Sequence, residues 1–295
     1  MNKLMGNKKA IAIFTLPCIL MFTVMVFYPI LQTIYYSLFN WDGLSEPLFC
    51  GIENYARLFQ DPLFYQSMFN GFVFAAVLVV FQIGVAVLLA FALMKSNLPF
   101  KRFFRTTYFI PVVLSVTVVC QLWSSIYNPN YGLFNQLFTA LGLDYQQQWL
   151  SSTKPFVAII AVAFVNMWQC LGYQFAIVYA GCKSIPVQYR EAALIDGATD
   201  FQLNVKIMMP LLKDTFRMNF IMAITGGLNA YAHVNLLTAG GPGTSSYTLT
   251  YMTFRTAFTI GKYGYGCAVA VALLAQCIVA TMIINKLFSA EDITY

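Results

Sequence analysis

Six apolar blocks, each long enough to cross a hydrocarbon core as a helix, dominate this sequence. They cover residues 10–36, 70–94, 104–127, 156–180, 216–237 and 265–288, and a membrane-crossing helix needs roughly 20 such residues. Hydrophobic residues make up 59% of the chain and charged residues 9%, against roughly 25% charged in soluble domains. A soluble fold with so few charges could not cover its own surface. The expected fold is all-α: a polytopic bundle of six transmembrane helices forming one membrane domain over residues 1–295. Lys8 and Lys9 before the first block resemble the start of a signal peptide. The block is too long for a signal-peptide core and no small-x-small cleavage site follows, so it reads as an uncleaved first span.

Lysine and arginine set the orientation, because they concentrate in cytoplasmic loops. With the N-terminus in the cytoplasm, the inner side holds Lys3, Lys8, Lys9, Lys95, Lys101, Arg102, Arg105, Lys183, Arg190, Lys206, Lys213, Arg217 and Lys286. Only Arg57, Lys154, Arg255 and Lys262 fall outside. Both termini are therefore expected in the cytoplasm, in a multi-pass protein of the cell membrane. The net charge of +6 does not indicate a nucleic-acid partner, because the basic residues sit in short clusters between apolar blocks rather than along one exposed face. The seven cysteines show no metal-ligand spacing and read as small buried hydrophobes. His233 is the only histidine, so no metal site is expected.

The longest inner loop, 184–210, has the marks of structure. Ser184 can cap a helix and Pro186 fits its first turn. Gly197 suits the left-handed residue that ends one, and Thr199 with Gln202 has capping-box spacing. A short helix, a sharp turn and a second helix leading into the fifth span are expected. Ala192, Ala193 and Gly197 allow close approach of another surface, with Glu191 and Asp196 as polar anchors. The residues alone leave two readings open: a docking helix, or an ordinary hairpin on the membrane surface.

Two spans carry polar stripes. In the fourth, Asn166, Gln169, Cys170 and Tyr173 recur at helical spacing on one face. In the fifth, Asn219, Thr225, Asn229, His233 and Asn235 lie where polar groups are costly unless they face protein or water. Gly226-Gly227 is expected to weaken that helix in its middle. Asn229 and His233, four apart, are expected to share a face, with Tyr231 between them. Lining of a polar path and plain interhelical hydrogen bonding both account for such stripes.

Glu191-Ala192-Ala193, Gly197, Ile207 and Pro210 stand at the spacing of the signature cytoplasmic loop of ABC-importer permeases, with Met209 where leucine is usual. Tyr28-Pro29, Gly51-Ile52-Glu53-Asn54-Tyr55, Pro111-Val112-Val113, Asn128-Pro129-Asn130-Tyr131-Gly132-Leu133, Asn166-Met167-Trp168 and Leu237-Thr238-Ala239-Gly240-Gly241-Pro242 extend the match along the chain. The sequence resembles carbohydrate-type ABC importer permeases, in particular the subunit type of the larger membrane subunit of the maltose transporter. That resemblance implies a non-enzymatic permease subunit importing a sugar or oligosaccharide. Its implied partners are a second homologous permease in a heterodimer, two ATPase subunits and an extracytoplasmic solute-binding protein.

No cofactor is implied on this chain, since ATP and Mg would sit on the ATPase subunits. Consistently, the sequence has no Gly-x-x-x-x-Gly-Lys-Ser/Thr loop. The resemblance makes 184–210 the coupling-helix loop, with Glu191, Ala192, Ala193, Asp196 and Gly197 touching the ATPases. It also places sugar contacts on the fourth-span stripe, where Asn166 and Tyr173 keep the family's residue types and Gln169 and Cys170 depart from them. Sugar hydroxyls need donors and acceptors and sugar faces suit aromatic planes, which Trp168, Tyr173 and Tyr231 could supply. Alternative substrates are other polar solutes such as a glycerol phosphate, against which stands the lack of a mid-membrane Lys or Arg. An ion-coupled secondary transporter would need a buried carboxylate, and the six blocks contain no Asp or Glu.

Overall fold

The computed structural model describes residues 8–94, 100–143, 146–152, 154 and 156–288; Lys3 and Lys95 of the charge pattern lie outside them. The described chain is mostly helical and divides into two compact units: residues 8–61 with 252–272, and residues 62–251 with 273–288. Four helices are long and apolar enough to cross a membrane: α1 (Ile11–Tyr36), α3 (Pro62–Met94), α7 (Val157–Ser184) and α13 (Tyr263–Phe288). A bent pair, α4 (Lys101–Val113) and α5 (Val116–Ile126), raises the number to five if it counts as one span.

In the first unit, none of the central residues of α1 is buried. A two-strand hairpin follows, β1 (Phe39–Asn40) antiparallel to β2 (Leu48–Phe49), with Phe39 opposite Phe49. The turn between them is held by Asp42, whose carboxylate accepts from the Leu44 and Ser45 amides at 2.9 and 2.7 Å and from the Ser45 hydroxyl at 2.7 Å. These bonds hold its pKa down at about 2. Helix α2 (Glu53–Gln60) is anchored by Asn54, which is buried and donates to the carbonyls of Ser37 and Phe39.

In the second unit, α7 is the central element, packing on α3, α4, α5 and α10 (Lys213–Leu228). Between α5 and α7 lies α6 (Leu133–Ala140). Trp123 of α5 gathers Tyr127, Phe134, Phe164 and Trp168 around its ring. After α7 come α8 (Val187–Ile195), the helical residues 200–211 (α9), α10, α11 (Ala232–Leu237) and α12 (Leu249–Phe254).

The structure redraws two of the expected spans. The block 104–127 is not one helix: α4 and α5 meet at 99°. Leu114 and Ser115 adopt extended backbone, and the Ser115 hydroxyl accepts from the Val118 amide at 3.3 Å. The serine thus caps a new helix at the cost of the old one. The block 216–237 is also broken, but at residues 229–231 and not at Gly226-Gly227. Those glycines lie inside α10. A Cβ on Gly227 would come within 2.6 Å of Ala75 Cα, whereas one on Gly226 would meet nothing within 4 Å. Gly227 therefore brings α10 against α3, and the break forms where other donors can take its carbonyls. The Thr248 hydroxyl donates to Ala230 O at 2.6 Å and the Thr250 hydroxyl to Leu228 O at 3.3 Å. Because 229–231 is not helical, Asn229 and His233 do not share one helical face as expected. The helix that holds the second expected span is longer than that block and begins at Pro62 rather than Asn70.

Candidate functional site

The polar stripe of α7 and the histidine of α11 meet. Asn166 Nδ2 lies 3.1 Å from His233 Nδ1, and His233 Nε2 lies 2.8 Å from Gln169 Oε1. Gln169 Nε2 in turn donates to Leu114 O at 3.0 Å, the carbonyl freed where α4 ends. The chain of bonds fixes the imidazole tautomer. Gln169 offers its carbonyl oxygen to Nε2, so Nε2 carries the hydrogen; Asn166 offers an amide hydrogen to Nδ1, so Nδ1 accepts. Gln169 and His233 are buried and Asn166 is half-buried. Three elements, α7, α11 and the α4–α5 corner, are thereby tied through side chains; between membrane helices such bonds are worth roughly 0.6 kcal/mol each on average.

The other stripe residues stand apart from this network. Cys170 is half-buried and Tyr173 is exposed, its hydroxyl donating to Met222 Sδ at 3.1 Å. Asn229 ends α10, with its amide on Thr225 O at 2.9 Å and Cys277 Sγ at 3.4 Å. The Tyr231 ring stacks with Tyr251, centroids 6.3 Å apart. The network commits the carbonyl of Gln169 and both ring nitrogens of His233 to protein, which makes these two residues braces. Asn166 Oδ1, Tyr173 Oη and the Tyr231 ring are the groups whose chemistry suits a polyhydroxylated solute. The Leu114 carbonyl, Met222 and Cys277 had no sequence signal as partners: a backbone acceptor becomes available only once the bend is known, and the other two read as ordinary apolar positions.

The loop after α7 folds largely as its residues dictate, with two corrections. Ser184 does not cap α8 but ends α7, its hydroxyl bonded to Gly181 O at 2.8 Å. Ile185 is extended, as residues before proline prefer, and Pro186 takes the N-cap position. Gly197 has φ +79°. The Ala198 amide donates to Ala193 O at 2.9 Å and the Gly197 amide to Leu194 O at 3.1 Å, the paired bonds of a Schellman ending. Thr199 and Gln202 form both bonds of a capping box. Glu191, Ala192, Asp196 and Gly197 are exposed along this turn, but Ala193 is buried and faces its own chain, so it offers no outward contact. Arg190 Nη1 donates to Met94 O at 3.1 Å, tying α8 to the end of α3.

Residues 82–290 match the protein family described as binding-protein-dependent transport system inner membrane component. The probable ABC transporter permease protein YurN of Bacillus subtilis (strain 168) is 36% identical over 286 residues, covering 96% of this chain and 97% of its own. The multiple sugar-binding transport system permease protein MsmF of Streptococcus mutans serotype c is 34% identical, covering 85% of each. Among solved structures, a bacterial ABC transporter involved in the import of the acidic polysaccharide alginate superposes with a TM-score of 0.79. It is 20% identical and covers 94% of each chain, a likeness of fold.

Proposed function

The chain belongs to the family of binding-protein-dependent transport system inner membrane components, and on that premise we propose that it is the permease subunit of an ATP-driven importer of a sugar or oligosaccharide. It is not itself an enzyme; ATP and Mg belong to separate ATPase subunits. The relatives named for sugar uptake, MsmF among them, support the substrate class. The path assignment rests on one observation: the Asn166–His233–Gln169 chain of hydrogen bonds, which brings the polar stripes of α7 and α11 together.

In this reading α7 and α11 line half of a translocation path, completed by a second homologous permease. Asn166 and Tyr173 touch the sugar, with Cys170, Asn229 and Tyr231 at its edges, while Gln169 and His233 hold the wall in register. The chain crosses the membrane six times with both termini in the cytoplasm, counting α4–α5 and the two pieces α10 and α11 each as one span. Helix α8 is the coupling helix, presenting Glu191, Ala192, Asp196 and Gly197 to the ATPases, and an extracytoplasmic binding protein delivers the sugar.

The test is reconstitution of the chain with its partner subunits in proteoliposomes, followed by uptake of a panel of labelled mono- and oligosaccharides. Asn166→Ala or Tyr173→Ala should lower uptake while the subunits still assemble. Unchanged uptake kinetics in both variants would remove these side chains from the path, and failure of every sugar in the panel would reject the substrate class.

A further inference from the structure

A cavity of about 1030 Å³ opens between α4 and α7. Its lining divides by chemistry along its length. Arg102 and Arg105 come from the beginning of α4 and Lys183 from the last turn of α7, so one end is cationic. Phe109, Ile110 and Phe175, further along the same helices, make the other end apolar. Among the described residues no carboxylate lines it, and neither Arg102, Arg105 nor Lys183 forms an ion pair.

Two of these cations are drawn to one ring. The Arg105 guanidinium carbon is 5.3 Å and Lys183 Nζ 5.8 Å from the centroid of Tyr179. One aromatic ring offsets only part of the repulsion between two like charges drawn to it, whereas an anion seated with them offsets it directly. The occupant must therefore bring negative charge to the helix ends and apolar surface to the deeper wall. A neutral sugar fits less well: Thr106 and Tyr179 offer hydroxyls, but Arg102, Arg105 and Lys183 would be left without a counter-charge. An amphiphile with an anionic head meets both requirements. Basic pockets between spans on the cytoplasmic side suit anionic lipid headgroups.

We propose that this cavity binds an anionic phospholipid of the cytoplasmic leaflet, with its phosphate held by Arg102, Arg105 and Lys183 and an acyl chain along Phe109, Ile110 and Phe175. The inference rests on the proposed orientation, which puts residues 101–105 and 183 inside. Side-specific labelling of a Lys183→Cys variant reads that orientation without any lipid measurement, so the two ideas fail separately.

The experiment is native mass spectrometry of the full chain assembled with its partner subunits, titrated with phosphatidylglycerol, phosphatidylcholine or inorganic phosphate. Phosphatidylglycerol should be retained over phosphatidylcholine, and Arg105→Ala and Lys183→Ala should each weaken retention about fivefold. Arg105→Lys, which keeps the charge, should retain most binding and serves if the alanine variants fail to assemble. Three results would overturn the proposal: equal retention of both lipids, retention indifferent to Arg105 and Lys183, or inorganic phosphate displacing the lipid at equal concentration. Lipid binding by the isolated chain that disappears on assembly would show instead that a protein partner covers the cavity.

Discussion

His233 Nε2 lies 2.8 Å from Gln169 Oε1, so this hydrogen bond joins the two broken stretches of this protein: Gln169 also holds the carbonyl at the α4–α5 corner, and His233 sits in α11, just beyond the break at 229–231. Replacing Gln169 by leucine removes both contacts and leaves a buried imidazole N–H and a carbonyl unpaired. The expected loss is about 1–3 kcal/mol of stability. Adding His233→Phe should recover part of it, because the stranded donor disappears. Thermal unfolding of the single and double variants in detergent measures the coupling, and strictly additive losses would contradict it.

The two adjacent glycines of α10 should respond in opposite ways to alanine. At Gly227 the new methyl group meets Ala75 Cα at 2.6 Å, so α3 and α10 must separate, costing roughly 1–3 kcal/mol as overpacking. At Gly226 the space is open, and alanine should stabilise the helix by about 0.5–1 kcal/mol. Midpoints of thermal unfolding distinguish the two. Equal shifts would mean that the glycines serve a common flexible point.

Gly197 sits at φ +79°, where a side chain costs roughly 1–2 kcal/mol. Gly197→Ala should loosen the turn after α8 while the rest of the chain stays folded. In the reconstituted importer, the ATP hydrolysed per sugar transported should rise. A ratio equal to that of the unaltered protein would argue against α8 as the coupling element.

Arg190 reaches from α8 to Met94 O at the end of α3, and a cation at a helix C-terminus contributes about 0.3–1 kcal/mol. Arg190→Leu should therefore lower transport per ATP more than it lowers thermal stability, and Arg190→Lys should restore most of the difference. An equal defect in leucine and lysine variants would assign the arginine to packing alone.

The Asp42 turn gives a pH dependence. Bonds from the Ser45 and Leu44 amides and the Ser45 hydroxyl lower the Asp42 pKa from 3.8 to about 2. A depressed carboxylate favours the folded turn above the unfolded value of 3.8, and that contribution is lost as pH falls through about 2. Carboxyl-carbon NMR of aspartate-labelled protein should show Asp42 titrating well below an ordinary aspartate. Asp42→Ser, which offers a weaker acceptor, should loosen the hairpin turn at neutral pH.

The long apolar blocks made α1, α3, α7 and α13 readable, because length and hydropathy alone decide whether a helix can cross a membrane. The turn at Gly197 and the Thr199–Gln202 box were equally readable, since their determinants lie within four residues. The breaks were not. At 229–231 the carbonyls of Leu228 and Ala230 are released only because Thr250 and Thr248 come to meet them, and nothing local to Asn229 announces distant donors. Gly226-Gly227 misled for a related reason: glycine marks flexibility or close packing alike, and only Ala75 decides between them. The α7 stripe was legible as a face, but its division into braces and available groups depended on His233 and Leu114, both far away in sequence.

The segment built as α10 and α11 behaves like a jointed rod. Turning α10 need not turn α11, because no ladder of backbone bonds runs unbroken through 229–231. The hydroxyls of Thr248 and Thr250 hold the joint and the end of α10, at Ala230 O and Leu228 O, so two short side chains fix the position from which α11 departs.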